Sequence, residues 1–305
     1  MSWGQPSRDL NIMSTFVYVV IPTFNHYADT LRALDSLGKM TYPNFKVLIV
    51  DNQSTDQTVA LVREKHPDVE LLIHPRNLGF AAGVNPGLQH ALDQGADYVL
   101  LINNDVVVAP SMLTHLVAAM QPEVGVAAPM IYFLDDPERI WSVGFRRHPL
   151  LMEMRGGARG QMDKGQWQTP LEVDYVLGCA MLLSAPALRK VGFFDERFFF
   201  YYEDLDYSLR FQRLGYRLIT VPLAQMWHKG SGSAGAGSAF RTFHMARGSV
   251  IFFRAHTRGW QRLAVFLFRC GSALRVCAGF VLRGRFHLLK SYWRGMRDGW
   301  RESSL

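Results

Sequence analysis

Over the first hundred residues, four short apolar runs alternate with segments of helical periodicity: FVYVVI (16–21), KVLIV (46–50), VELLI (69–73) and YVLLI (98–102). Between them, ADTLRALDSLG (28–38) places Leu31, Leu34 and Leu37 on one helical face, and STDQTVALVREKH (54–66) offers Ser54 or Thr55 as a helix cap. AAGVNPGLQHALDQG (81–95) reads as a third helix, with Gly95 as its stop. Strands separated by whole helices do not pair as hairpins; they pair in parallel through right-handed crossovers. The alternation predicts an α/β fold, a Rossmann-like doubly wound sheet with mostly parallel strands.

Each of these strands ends in a polar cluster: PTFN (22–25), DNQSTD (51–56), HPRNLGFAAG (74–83) and NND (103–105). Any one of them could merely end a strand or satisfy a turn. Four on the carboxyl edge of one parallel sheet predict a nucleotide-type crevice, because helix N-termini there also offer backbone donors to anions. In the last cluster, Asp105 suits a hard divalent cation that shares its remaining ligands with phosphate oxygens and water. Asn103 or Asn104 would then hydrogen-bond a ribose, and Asp51 with Asn52 would read the edge of a base.

The densest chemistry lies further on, in GFFDERFFFYYEDLDYSLRFQRLGY (192–216). Phe198, Phe199, Phe200, Tyr201, Tyr202 and Tyr207 surround Glu203, Asp204 and Asp206. Leu205, Leu209 and Leu214 have helical spacing, with Gly215 as the stop, so the acids fall in a helix's first turn, where the dipole favours their ionised form. Acids in such a turn are ordinary helix design; acids beside an aromatic wall also suit a general base shielded from water. His228 opens a run without bulky side chains, SGSAGAGSA (231–239), which reads as a linker or as a lid over bound phosphates, with Lys229 beside it to neutralise a departing diphosphate.

Charge is unevenly distributed. Residues 241–305 hold 13 Lys and Arg against 2 Asp and Glu, while residues 1–240 hold 20 against 24. An acidic body with a basic C-terminal fifth predicts a catalytic domain with an anionic surface as neighbour. Cys179, Cys270 and Cys277 are too few and too scattered for a disulfide framework or a zinc site, which fits a reducing compartment. The first fourteen residues lack a basic patch followed by an apolar core, so no secretion signal is expected there.

Taken together, VVIPTFN, VLIVDNQSTD, RNLGFAAGVNPG, LLINNDVVV, GCAMLLSAPALRKVGFFDERFFFYYEDLDYSLR and WHKGSGS, in this order over residues 16–240, resemble the inverting family 2 glycosyltransferases of the GT-A fold, in particular their bacterial rhamnosyltransferase-like branch. The resemblance implies a GT-A domain over residues 16–240; a tail over 1–15 precedes it, and the charge and apolar runs of 241–305 predict a helical, basic, membrane-associating region. It implies that Pro22, Thr23, Asp51, Asn52, Asn77 and Gly83 line the nucleotide side of the cleft. Asn103, Asn104 and Asp105 stand at the family's Asp-x-Asp position, Asp105 holding Mg²⁺ or Mn²⁺ with His228 as a further ligand to metal or diphosphate. Asn103 replaces the first acid of that motif, leaving one negative charge fewer. Asp204 would be the catalytic base, with Glu203, Asp206, Lys229 and Gly178 as secondary candidates. The branch points to dTDP-L-rhamnose as donor, with UDP-hexoses as the alternative, and to a glycan or lipid-linked acceptor. Trp141, Trp167 and Gly178–Cys179 are acceptor-side candidates, though either Trp could equally be core.

A sugar nucleotidyltransferase would share sheet, metal and nucleotide, but would carry a Gly-rich basic loop after the first strand, where this chain has IPTFNHYADT. A non-catalytic nucleic-acid binder would explain the basic tail and leave FYYEDLDY without a use, so no nucleic-acid partner is expected; a homo-oligomer is left open. In the tail, LAVFLF (263–268) and VCAGFVL (276–282) are interrupted by Arg269 and Arg275, below the roughly 18 uncharged apolar residues of a membrane span. Wound as one helix, Arg254, Arg258, Arg262, Arg269 and Arg283 fall within about 80° of one another; Arg275 lies off that stripe, predicting a break near Gly271. Such a segment predicts peripheral attachment to the cytoplasmic face of an anionic membrane, or else packing on the domain or a dimer interface.

Overall fold

The structure is a computed structural model that describes residues 14–230 and 237–302. Its first half contains β1 (Val17–Thr23), α1 (Tyr27–Leu37), β2 (Phe45–Asp51), α2 (Thr58–Lys65), β3 (Glu70–Ile73), α3 (Gly79–Asp93), β4 (Tyr98–Ile102), β5 (Val106–Val108), α4 (Met112–Ala118) and β6 (Val124–Phe133). There follow β7 (Ile140–Ser142), β8 (Phe145–Arg147), β9 (Met154–Gly156), β10 (Leu171–Val173), β11 (Ala180–Ser184), α5 (Ala185–Val191), α6 (Glu203–Arg213) and β12 (Arg217–His228). Three helices close the chain: α7 (Ala239–His256), α8 (Gly259–Leu282) and α9 (Phe286–Glu302).

The main sheet runs β10-β12-β6-β11-β4-β1-β2-β3, and the four expected strands pair in parallel as β4-β1-β2-β3. Both faces of the sheet are covered, since Val19, Ile21, Ile49, Leu100 and Ile102 pack into one apolar cluster while Tyr18, Val20, Val50, Val99 and Leu101 pack into another. This is the period-two split of strands buried on both sides, which explains why they read as continuous apolar runs. Beyond β4, the antiparallel β11 links the first half to the parallel pair β6–β12. The register between β12 and β6 shifts at Val221/Gln225, a bulge close to the end that carries His228.

Helix α2 starts at Thr58, later than the sequence suggests. Ser54 and Thr55 are used elsewhere: Ser54 Oγ accepts from Asn25 N (2.6 Å), and Thr55 N donates to Asn25 Oδ1 (2.8 Å). These bonds tie the β1–α1 turn to the β2–α2 turn, and Asp56 Oδ1 takes over at the helix start by accepting from Thr58 N (3.0 Å). The segment 231–236, which holds most of the expected lid, lies outside the described residues.

At the C-terminus two expectations are corrected. The break falls between α7 and α8 at Thr257–Arg258, both in extended backbone, so Arg254 belongs to α7. Helix α8 then continues through Gly271, and by length and composition it is long and apolar enough to cross a membrane, carrying only two arginines within the helix's central stretch at Arg269 and Arg275. Helix α7 packs on the sheet domain, where His256 Nε2 lies 2.7 Å from Asp206 Oδ1 of α6.

Helix α9 returns along α7 through two glycines. A Cβ on Gly295 would lie 2.2 Å from Phe243 O, and one on Gly299 would lie 2.6 Å from Arg247 O. Ala is the better helix former by roughly 0.5–1 kcal/mol, yet the facing atoms here are backbone and cannot rotate away. Gly295→Ala therefore lowers the melting temperature, whereas Gly271→Ala, with nothing within 4 Å of the added carbon, leaves it unchanged or raises it. Thermal denaturation of the two variants side by side checks this; equal shifts would show that the glycine seam is not tight.

Candidate active site

The carboxyl ends of the strands open into a cavity of about 1130 Å³. Pro22, Thr23, Asn52, Asn77, Asn103, Asn104, Asp105, Gly178, Glu203, Asp204 and His228 all contribute to its lining. The parallel register explains part of this convergence, because Thr23 and Asp51 are paired residues at the ends of β1 and β2. Asp51 is fully buried; its Oδ2 accepts from Ser54 N (2.9 Å) while Oδ1 has no partner. Asn52 Nδ2 donates to Gly79 O (3.0 Å), and a Cβ on Gly83 would strike that amide nitrogen at 2.5 Å, so Gly83 makes room for Asn52. Asn77 Oδ1 accepts from Gly79 N (2.9 Å), and Asn104 Nδ2 donates to Thr30 Oγ1 (2.9 Å).

Asp105 and His228 are brought together by a strand ladder. β5 pairs antiparallel with β12, His228 stands opposite Val106, and Lys229 N donates to Asp105 O (3.0 Å). His228 Nε2 lies 3.2 Å from Asp105 Oδ1 without the alignment of a hydrogen bond. The residues are 7% and 8% exposed, and Asp105 Oδ1 and both ring nitrogens of His228 lack hydrogen-bond partners. Burial pushes the Asp105 carboxyl up, but His228 and then Lys229 outweigh it and hold the group below its usual range. Trp141 packs edge-on against His228 with centroids 4.9 Å apart.

Buried, unpartnered oxygen and nitrogen atoms facing one another fit a divalent cation. Among the described residues no group of three His, Cys, Asp or Glu side chains could hold a metal by itself. Mg²⁺ and Mn²⁺ suit such a site, because they keep waters and take phosphate oxygens as ligands.

Asp204 sits on a different part of the wall. Its Oδ2 accepts from Tyr175 Oη (2.7 Å) and Gly178 N (3.1 Å), and its Oδ1 accepts from Leu205 N (2.9 Å). Burial pushes this carboxyl above its ordinary value, while those three donors pull the other way. Glu203 has no such support: Oε2 is buried without a partner, and burial followed by the Asp204 charge drives the group well above its usual range. The two neighbouring acids are thereby separated, Glu203 favouring its neutral form and Asp204 the more readily ionised of the pair. The turn that presents them is strained, since Tyr201 and Tyr202 have φ of 68° and 75°. Gly248 of α7 allows it, because a Cβ there would lie 2.8 Å from Tyr201 O.

Four candidates stand outside the cavity lining: the fully buried Asp51, Gly83 against the Asn52 side chain, Asp206 and Lys229. Asp206 does not line the cavity; it pairs with Arg210 Nε (2.8 Å) and His256 Nε2 (2.7 Å). Lys229 Nζ reaches Asp29 Oδ2 (2.9 Å), which Arg32 also engages, and Lys229 likewise stays out of the cavity lining. Trp167 packs in a satellite cluster with Tyr132 and Trp227. The cations that do line the cavity are Arg159, Arg241 and Arg269, none of them anticipated from sequence. Arg159 lies over the Trp141 ring at 3.6 Å, and burial together with Arg241 lowers its pKa. Tyr175 was also missed; it precedes β11 in an irregular stretch that no periodicity marks.

With this geometry in view, the comparisons are specific. Residues 18–191 match the family described as Glycosyl transferase family 2. An N-acetylglucosaminyl-diphospho-decaprenol L-rhamnosyltransferase of Mycobacterium tuberculosis is 30% identical over 274 residues, covering 82% of this chain and 88% of that protein. A dTDP-rhamnosyl transferase of Shigella flexneri is 26% identical over 220 residues, covering 71% and 70%. Among solved structures, a mannosyltransferase from Pyrobaculum calidifontis in complex with GDP-Man and Mn²⁺ superposes with a TM-score of 0.57 at 18% identity, covering 96% of this chain and 87% of that one. TarS of S. aureus gives 0.60 at 17% identity over 95% and 81%. At such identities these two structures speak for a shared fold.

Proposed function

This chain belongs to glycosyl transferase family 2, and from that premise we propose that it moves a sugar, with dTDP-L-rhamnose as donor, to a hydroxyl of a glycan or lipid-linked acceptor during cell-surface polysaccharide synthesis. The transfer is a single displacement with inversion. One observation carries this reading: a carboxylate held by three donors, Asp204, opens into the same cavity as the unpartnered pair Asp105–His228.

The acceptor hydroxyl is a weak nucleophile until its proton is taken as the new bond forms. Asp204 is the group that takes it and ends the step as the protonated acid, while Tyr175 and Gly178 fix the carboxylate's position by donating to Oδ2. As the acceptor oxygen bonds to the anomeric carbon, the bond to the diphosphate breaks and its electron pair leaves with the nucleoside diphosphate. Asp105 and His228 would hold the divalent cation that supplies charge neutralisation at that diphosphate. Arg159 and Arg241, in place of Lys229, add positive charge to the same cavity. Asn52 holds the base, Asp51 supports it from beneath the cavity wall by fixing the turn at Ser54, and Pro22, Thr23 and Asn77 line the nucleoside side.

The homology to an enzyme named for a decaprenol-linked substrate, and the basic C-terminal region, support work at the cytoplasmic face of a membrane. Screening labelled sugar nucleotides for Mn²⁺-dependent hydrolysis and transfer tests the proposal. The expected result is a preference for dTDP-L-rhamnose with an inverted product. Selective turnover of a UDP-hexose would replace the donor, and release of pyrophosphate from a nucleoside triphosphate and a sugar phosphate would replace the reaction class.

A further inference from the structure

Helix α8 is built inside out for a helix surrounded by water. Of its residues only Val265 is buried, while Trp260, Leu263, Phe266, Leu267, Leu274, Val281 and Leu282 are exposed, Leu282 at 85%. At 100° per residue these seven fall within an arc of about 160° that contains no charge. Arg258, Arg262, Arg269 and Arg283 cluster within about 60° on the other side. The helix runs for about 36 Å, and so large an apolar strip on a folded protein marks a surface meant to be covered.

The opposite face of α8 closes the cavity. Phe268, Arg269 and Ser272 line it together with Phe252, Phe253 and Met152. Arg269 Nη2 donates to Ser249 Oγ (2.9 Å), and the guanidinium sits over the Phe253 ring at 5.1 Å. Among the described residues no carboxylate is within ion-pair distance of Arg269, so most of its five N–H donors remain available to an anion. This end of the cavity is thus apolar with one half-buried cation, whereas the Asp105–His228 end is polar. Tyr202, two residues before the base, bridges them, its ring centred 5.7 Å from that of Phe252.

We propose that the α8 end of the cavity binds the phosphate group of a lipid-phosphate-linked acceptor, with Arg269 as its cationic ligand, and that the outer face of α8 lies in the acyl layer of the membrane that delivers this acceptor. The proposal rests on the glycosyltransferase reading above and adds where the acceptor enters and what holds it. The occupant of the apolar arc is a lipid leaflet because the helix supplies arginines on its other side, at headgroup level, within a region of 13 basic and 2 acidic residues. Helix α8 lies along the protein and does not cross the bilayer alone: Arg269 packs on Ser249 and Phe253 of α7, and α9 follows within three residues to pack on α7 again.

Two measurements on the full chain test it. Farnesyl diphosphate, pyrophosphate and farnesol serve as calorimetric probes, so that a lipid phosphate is distinguished from a free one. The wild type is expected to bind farnesyl diphosphate more tightly than pyrophosphate or farnesol, and Arg269→Gln to weaken farnesyl diphosphate binding by about 10- to 100-fold, the usual cost of a charged hydrogen-bonding partner, while binding of farnesol, which offers no phosphate, stays unchanged. A wild type that binds pyrophosphate as tightly as farnesyl diphosphate, an equal loss for farnesol, or no loss for farnesyl diphosphate would overturn the subsite. In the second measurement, Leu263→Glu with Leu274→Glu, both at solvent-exposed positions, should abolish co-sedimentation with phosphatidylglycerol–phosphatidylcholine vesicles without lowering the melting temperature. Retained vesicle binding, or an effect confined to dissociation of a dimer, would overturn the membrane face. Mn²⁺-dependent binding of dTDP and UDP, recorded on the same samples, is independent of both arms; absence of both from the wild type would count against the glycosyltransferase reading alone.

Discussion

Asp204→Asn is expected to lower kcat by roughly 10²- to 10⁴-fold, the range usual for loss of a general base, with donor affinity nearly unchanged. Asn preserves the size of the side chain and can still accept from Tyr175 and Gly178, so the cavity wall keeps its shape. What it lacks is the capacity to end the reaction as an acid. Glu203→Gln exchanges a carboxyl already pushed toward its neutral form for a neutral amide, and most activity should survive. Asp206→Asn should affect melting temperature first, since Asp206 joins α6 to Arg210 and His256. The pH profile carries the same information. A base must be ionised to act, so the acid limb for Asp204 lies above the ordinary carboxylate range, and the rate falls as pH drops through that raised value. An active Asp204→Asn beside an inactive Glu203→Gln would move the assignment to the other acid.

Asp105→Ala should remove divalent-metal-dependent binding of the nucleoside diphosphate altogether. Loss of groups that merely orient a metal ligand typically costs about 10- to 100-fold in affinity; Asp105 is the only carboxylate of the NND triplet, and its loss should exceed that. His228→Ala leaves the carboxylate in place and should weaken the same binding less. Titration calorimetry of dTDP with and without Mn²⁺ separates the two variants, and undiminished wild-type transfer in excess EDTA would remove the metal role from both residues.

The parallel half of the sheet was legible because buried strands and crossover helices impose different periods on the chain, and each strand's polar terminus then fell on one edge. Asp105 was legible for the same reason. Its approach to His228 was implied by the family resemblance but not by the local pattern, because it depends on the short β5 pairing with a strand more than a hundred residues away. Ser54 looks like a cap in isolation, but a tertiary bond from Asn25 claims its hydroxyl. Arg159 and Tyr175 lie in irregular segments around β8–β10, where no periodic signal indicates which way a side chain faces. Lys229 follows His228 in the chain, yet its long side chain swings to Asp29. In the tail, composition revealed basic and apolar residues, while the helix limits were set by the extended Thr257–Arg258 link and not by Gly271.

The place of β12 also governs when this molecule can first work. Among the described strands it comes latest in the chain, yet it inserts between β6 and β10 and does not extend an outer edge. A nascent chain ending before residue 217 would leave one side of β6 unpaired along VGVAAPMIYF, an apolar edge that invites pairing with other chains. His228 is the final residue of β12, so the Asp105–His228 pair assembles only when this late strand is in place. A partial product that lacks this strand therefore lacks the pairing that sets His228 beside Asp105, and the sheet and this corner of the cavity are completed together.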